Sequence, residues 1–104
     1  MITIRQRPDD HRWEIHEHEE LVGLANYELA DDTVSFTHTE TLPGNGGRGL
    51  AKQLVVAMLD DARANDLSVL PYCSYVAKVI AEQPAEYLGL VPNHRRAQFG
   101  LPAS

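Results

Sequence analysis

The stretch Thr39-Glu40-Thr41-Leu42-Pro43-Gly44-Asn45-Gly46-Gly47-Arg48-Gly49-Leu50-Ala51 joins two different patterns. Upstream of it, β-branched residues alternate as in a strand. Downstream, apolar residues recur at helical spacing. Four glycines fall between Gly44 and Gly49. A glycine-rich turn between a strand and a helix aims bare backbone N–H groups at the start of a helix dipole, an arrangement suited to an anion and most often phosphate. The stretch therefore predicts a strand–turn–helix unit with an anion site at residues 44 to 51.

Upstream, Ile2 and Ile4 alternate with Thr3 and Arg5, and Pro8-Asp9-Asp10 ends this short strand. Arg12 to His18 reads as a second strand with Trp13 and Ile15 on one face and Glu14, His16 and His18 on the other. His-x-His beside a carboxylate can ligate a metal, but the sequence places no fourth ligand. The solvated face of a strand is the preferred reading, and no metal is expected. Glu19-Glu20 is expected to turn the chain into a strand over Leu21 to Leu29. Asp31-Asp32 then turns it into Thr33 to Leu42. In this last strand Val34, Phe36, His38, Glu40 and Leu42 are expected on one side and the threonines and Ser35 on the other. Such short connections predict an antiparallel meander of about four strands.

Downstream, Leu50, Leu54, Met58 and Ala62 fall four apart with Ala51 and Val55 beside them, predicting a helix from about Arg48 to Ala64. Leu67-Ser68-Val69-Leu70 is a short strand stopped by Pro71, expected to run parallel to the strand before the glycines. Ser74 is the expected N-cap of a second helix, Tyr75 to Gln83, with Val76, Val79 and Ile80 as its apolar stripe. Residues 92 to 104, rich in polar residues, proline and glycine, are expected to be a loose tail around a core of about residues 11 to 91. The fold class is α+β, in one domain spanning residues 1–104: a meander, then helix, parallel strand and helix.

Composition narrows the function. A net charge of −6 argues against a nucleic-acid or anionic-membrane partner, since both want clustered lysine and arginine. One cysteine cannot form an internal disulfide, and no apolar run approaches the roughly 20 residues of a spanning helix. A cytoplasmic location is the expectation. The run Gly44 to Gly49 also satisfies G-x-G-x-x-G. However, the chain is too short for a doubly wound sheet, the preceding strands form a meander, and no acidic residue ends the following strand. A phosphate-binding P-loop lacks its second glycine and its Ser or Thr here. A turn without any ligand would need only one or two of the glycines.

Gly47-Arg48-Gly49-Leu50-Ala51 in its context resembles the acetyl-CoA signature Q/R-x-x-G-x-G/A of the GCN5-related N-acetyltransferases. Gly49 and Ala51 fill the small positions, and Gly46 replaces the leading Gln or Arg. With His38-Thr39 on the strand and Pro71-Tyr72-Cys73-Ser74-Tyr75-Val76 after the next one, the chain is similar to compact members lacking the usual first two helices. The resemblance covers roughly Trp13 to Val91. It implies that the backbone of Gly44, Asn45, Gly46, Gly47, Arg48, Gly49 and Leu50 holds the CoA pyrophosphate, with Ala51 and Gly49 letting it approach. It also implies that the pantetheine arm pairs with backbone near Thr41 and Leu42, in a gap between splayed parallel strands. Arg48 would add a charge-assisted contact.

Two residues are candidates for the chemistry. Cys73 precedes a helix whose dipole favours negative sulfur, and it could accept an acetyl group or simply be a small buried residue. His38 is the candidate base, or else a core histidine bonded to backbone. Glu40 could orient it. Tyr72 and Tyr75 could protonate a leaving thiolate, although packing is their preferred role. The expected function is transfer of acetyl from acetyl-CoA to a small amine or a lysine-containing acceptor, and the acidic balance favours a cationic one. The acceptor pocket is expected to be shallow or completed by a protein partner or a second copy of the chain. The rival reading is a CoA-binding or protein-interaction module without turnover.

Overall fold

The computed structural model describes residues 1–103. One sheet holds five strands in chain order: β1 (Ile2–Arg7), β2 (Arg12–Glu17), β3 (Glu20–Ala30), β4 (Thr33–Thr41) and β5 (Ser68–Pro71). The first four are antiparallel neighbours, and β5 lies parallel to β4, from Thr33 opposite Ser68 to Phe36 opposite Pro71. Helix α1 (Leu50–Ala64) makes the crossover between β4 and β5, and α2 (Ser74–Glu82) and the short α3 (Pro84–Tyr87) follow. The predicted α+β order is the observed one. No helix among the described residues is long and apolar enough to cross a membrane.

The turn between β2 and β3 sits one residue earlier than expected. His18 and Glu19 both have positive φ, 50° and 67°, as a two-residue primed hairpin turn requires. His18 therefore leaves the strand, and its Nδ1 lies 3.4 Å from the amino terminus. It does not share a face with Glu14 and His16. That face is also less solvated than its polarity predicted. Glu14 is only 3% exposed, gripped by Arg12 Nη2 at 2.6 Å and flanked by Arg7 and His16. A buried carboxylate persists where guanidinium groups neutralise it.

The larger correction concerns β4. Asn26 pairs with His38 but Tyr27 pairs with Phe36, so Thr37 is an extra residue that β3 does not match. One extra residue reverses the side-chain parity of everything beyond it. Val34 and Phe36 face α1, beside Tyr27 and Met58. Past the bulge that face belongs to Thr39 and Thr41, opposite Ala25 and Gly23, while His38 and Glu40 turn to the other side. Gly23 is required where it lies, because a Cβ there would come within 2.9 Å of Ile15 Cγ2 and 3.1 Å of the Glu40 carbonyl.

Helix α1 buries Leu50, Leu54, Val55, Met58, Leu59 and Ala62, the stripe that its spacing predicted. Each fully buried Leu or Met contributes about 1.5–3 kcal/mol through the apolar surface it removes from water. The helix starts at Leu50 and not at Arg48, because Gly49 sits at φ 74°, outside the helical region. Helix α2 adds Val76, Val79 and Ile80 to the same core. It starts at Ser74 with Cys73 in the N-cap position, and no side chain caps it. Pro84 opens α3, where its missing N–H costs nothing. Residues 92 to 103 are not a loose tail. Asn93–Phe99 form a 3-10 turn, Arg96 donates to the Val91 carbonyl at 2.9 Å, and Leu101 is 4% exposed in the core.

Candidate active site

The turn after β4 gathers the whole predicted anion stretch. Leu42 N–H continues the ladder to the Val22 carbonyl at 2.9 Å, and Asn45 N–H closes the turn on the Leu42 carbonyl at 3.0 Å. Gly44, Gly47 and Gly49 have φ of 86°, 80° and 74°, values costly for any residue with a Cβ. Gly46 has an ordinary backbone and open space around it. No side chain among the described residues caps α1, so the first N–H groups of Leu50, Ala51 and Lys52 are left without a cap at the positive end of its dipole.

Arg48 folds back over this turn. Its Nη1 donates to Asn45 Oδ1 at 3.1 Å and its Nη2 to Glu17 Oε2 at 2.5 Å. Glu17 ends β2 and belongs to the site, a placement that no local pattern signals, because the two residues lie thirty-one positions apart. Hydrogen bonding to Arg48, more than charge alone, holds the Glu17 carboxyl below its ordinary value and raises the guanidinium in return.

A wedge opens beside the turn. On the β5 side, β4 has no strand partner among the described residues beyond Phe36, where β5 ends at Pro71. The last tie is Cys73 N–H, which donates to the Phe36 carbonyl at 2.8 Å. From there α2 leads away, and the β4 backbone from His38 to Thr41 has a free edge on that side. Such an edge can pair with an extended amide-bearing chain as it would with a strand. Cys73 stands at the closed end of the wedge, half-buried, with its thiol 3.5 Å from Thr39 Oγ1. The bulge makes this contact, by turning Thr39 to the face it shares with Phe36.

The same bulge separates His38 from Cys73. His38 is 56% exposed on the opposite face, in the row of Asn26 and Arg12, and its Nε2 lies 3.0 Å from Glu40 Oε1. The expected pairing of His38 with Glu40 is present, but the expected face beside Val34 and Phe36 is not. Tyr72 is half-exposed, edge-on to Phe99 at 5.2 Å, and Arg95 donates to its hydroxyl at 3.0 Å. Burial, and secondarily Glu82, pushes the Tyr75 phenol up.

A mixed sheet with a bulged β4, a splayed β4–β5 pair and an uncapped glycine turn defines an acyl-CoA transferase type of fold. The model of the GCN5-related N-acetyl-transferase family matches residues 12–90. The chain belongs to that family. It is 36% identical over 67 residues to Protein NATD1 of Xenopus tropicalis, a match covering 64% of this chain and 61% of that protein. Its structure superimposes, with a TM-score of 0.62 and 25% identity, on a GCN5-like putative N-acetyltransferase from Staphylococcus aureus, covering 86% of this chain and 87% of the other. A more distant likeness in fold is N-acetylglutamate synthase from Neisseria gonorrhoeae, solved with coenzyme A and N-acetyl-glutamate. There the TM-score is 0.53 at 15% identity, over 67% of this chain and 19% of that one.

Proposed function

We propose that this protein binds acetyl-CoA and transfers its acetyl group to an amine. The observation that carries this reading is the wedge, with free β4 backbone from His38 to Thr41 on one side, Cys73 at its closed end and the uncapped glycine turn at its mouth. The pyrophosphate would sit on the N–H groups of residues 44 to 51, with Arg48 exchanging its bond to Glu17 for one to phosphate. The pantetheine amides would pair with backbone at Thr41 and Leu42. The thioester would then lie next to Cys73.

In direct transfer, the amine nitrogen attacks the acetyl carbonyl carbon, the C–N bond forms, the C–S bond breaks and CoA leaves as the thiolate. In the two-step form the Cys73 thiolate attacks first, giving an acetyl-cysteine that the amine then cleaves. His38, held by Glu40, is the proposed base for the amine, acting from the far side of β4. A thiol that must stay reduced goes with a reducing compartment such as the cytosol.

The exposed position of His38, away from Cys73, favours one second reading, a CoA-binding module without turnover. The test is to incubate the protein with acetyl-CoA and a panel of amines and lysine peptides and to follow free CoA. Acceptor-dependent release that disappears in Cys73→Ala or His38→Ala supports transfer. CoA binding without release under any acceptor supports the module.

A further inference from the structure

The largest cavity of the molecule lies on the outer side of α2, lined by Tyr72, Lys78 and Phe99, and includes neither Cys73 nor Thr39. What can happen at the thioester is therefore set inside the wedge, by the groups that touch the Cys73 sulfur.

Cys73 is held there from two sides. Its backbone is tied to β4 by the N–H bond to the Phe36 carbonyl at 2.8 Å, and its sulfur lies 3.5 Å from Thr39 Oγ1. Both anchors belong to β4, so the thiol lies across the closed end of the wedge, beside the free edge that starts at His38. Thr39 is the only side chain among the described residues that hydrogen-bonds the sulfur. It reaches the sulfur because Thr37 is unmatched. With β4 in strict alternation, Thr39 would turn away from the α1 face and His38 would take its place.

The Thr39 hydroxyl suits a sulfur that changes charge. A hydroxyl has one proton to give and lone pairs to receive, and it turns about its C–O bond without moving the chain. No protein group among the described residues takes the Thr39 proton. Beside a neutral thiol the hydroxyl accepts from S–H. Beside a thiolate it rotates and donates, and a hydrogen bond to an ion is roughly twice as strong as one between neutral groups. The backbone adds to this. Cys73 occupies the N-cap position of α2, whose first helical bond runs from Ala77 N–H to the Cys73 carbonyl at 3.2 Å. No side chain among the described residues caps the N–H groups before it. Negative sulfur is favoured at that end of the helix dipole.

We infer that Thr39 is the positioning residue of Cys73, and that the pair makes the cysteine the first acceptor of the acetyl group. The inference rests on the acetyl-transfer reading above and selects its two-step form. The thiol proton passes to water, the sulfur bonds to the acetyl carbonyl carbon, the C–S bond to CoA breaks and CoA leaves as the thiolate. One thioester replaces another, with no change of oxidation state. The amine nitrogen then forms the C–N bond, the bond to the Cys73 sulfur breaks, and the amine's proton passes to the base or to water. In both steps Thr39 donates to the sulfur while it is negative.

The experiment mixes the protein with acetyl-CoA and no amine, quenches at intervals and follows the acetyl adduct by intact mass, with neutral hydroxylamine to mark a thioester. Thr39→Val keeps the β-branched shape and removes the hydroxyl, whereas Thr39→Ser keeps the hydroxyl. The expected result is a hydroxylamine-sensitive adduct that Cys73→Ala lacks. It forms at least about tenfold more slowly in Thr39→Val, a margin of about 1.4 kcal/mol, and within about threefold of the parent rate in Thr39→Ser. The Kd for CoA stays within about twofold of the parent value in both. Equal rates in Thr39→Val and the parent, or a loss that Thr39→Ser does not restore, overturn the positioning role. No adduct on a protein that binds acetyl-CoA, or amine acetylation that survives Cys73→Ala, overturns the two-step route. Should acetyl-CoA not bind at all, the transfer reading fails separately, and Thr39 is judged by the rate at which iodoacetamide alkylates Cys73. A rate about tenfold lower in Thr39→Val and restored in Thr39→Ser upholds the hold on the sulfur, and equal rates overturn it.

Discussion

The two ends of the proposed site are built differently. At residues 44 to 51 the chemistry is carried by backbone: three glycines at positive φ and an uncapped helix start. At Cys73, Thr39 and His38 it is carried by side chains whose directions depend on one unmatched residue, Thr37. A backbone site is encoded by its own few residues. A side-chain site on a sheet is encoded by register, which is a property of two strands together.

Inserting one alanine between Asn26 and Tyr27, opposite Thr37, tests the second end most severely. With Thr37 matched and the bulge gone, strict alternation along β4 either turns Val34 and Phe36 away from α1 or turns His38 and Glu40 to the face of α1. Both outcomes are expected to cost about 3–5 kcal/mol, from lost core packing or buried polar groups, read by urea denaturation. Unchanged stability would mean that the bulge does not set the parity of β4.

The first end is tested by Gly49→Val. No atom would crowd the new Cβ, so the harm comes from a β-branched residue at φ 74°. CoA affinity is expected to fall at least about 100-fold by calorimetry, with far-UV circular dichroism retained. Gly46→Ala, at an ordinary φ in open space, should change affinity less than about threefold. If the two variants behave alike, the turn does not bind through its conformation.

A subtler contrast concerns the base. His38→Ala is expected to lower kcat by about 100-fold and to leave the Kd for CoA within about twofold, because His38 faces away from the wedge. A matching loss of CoA affinity would place the imidazole among the binding groups instead.

The smallest effect expected is at Glu17. Its carboxyl is held below the ordinary value of 4.5 by the Arg48 bond, so the pair's contribution is present above about that pH. It fades as pH falls through the lowered native value. The slope of Tm with pH between about 3 and 5 should therefore flatten in Glu17→Gln, and less visibly in high salt, as both groups touch solvent. An unaltered slope would show that Arg48 does not depend on Glu17.

Much of the fold was legible because it is local. The spacing of Leu50, Leu54, Met58 and Ala62 marked the buried side of α1, and Pro71 marked the end of β5. Three misreadings were of another kind. His18 looked like a strand residue, since nothing nearby distinguishes a primed turn at His18-Glu19 from one a residue later. Residues 92 to 103 looked like a tail because polar residues, proline and glycine dominate there, although Leu101 seals the core. The strict alternation of Val34, Phe36 and His38 ran through Thr37 with no mark of a bulge.

The sequence by itself determined the order of elements, the apolar stripes of both helices and the glycine turn, since each follows from φ/ψ preference and periodicity within about a dozen residues. Only the tertiary structure decided that Thr39 and not His38 meets Cys73, that Glu17 holds Arg48, and that Tyr72, Lys78 and Phe99 line one groove. Those contacts join residues far apart in the chain. Their geometry comes from strand register and from the packing of the C-terminal turn, which no single stretch contains.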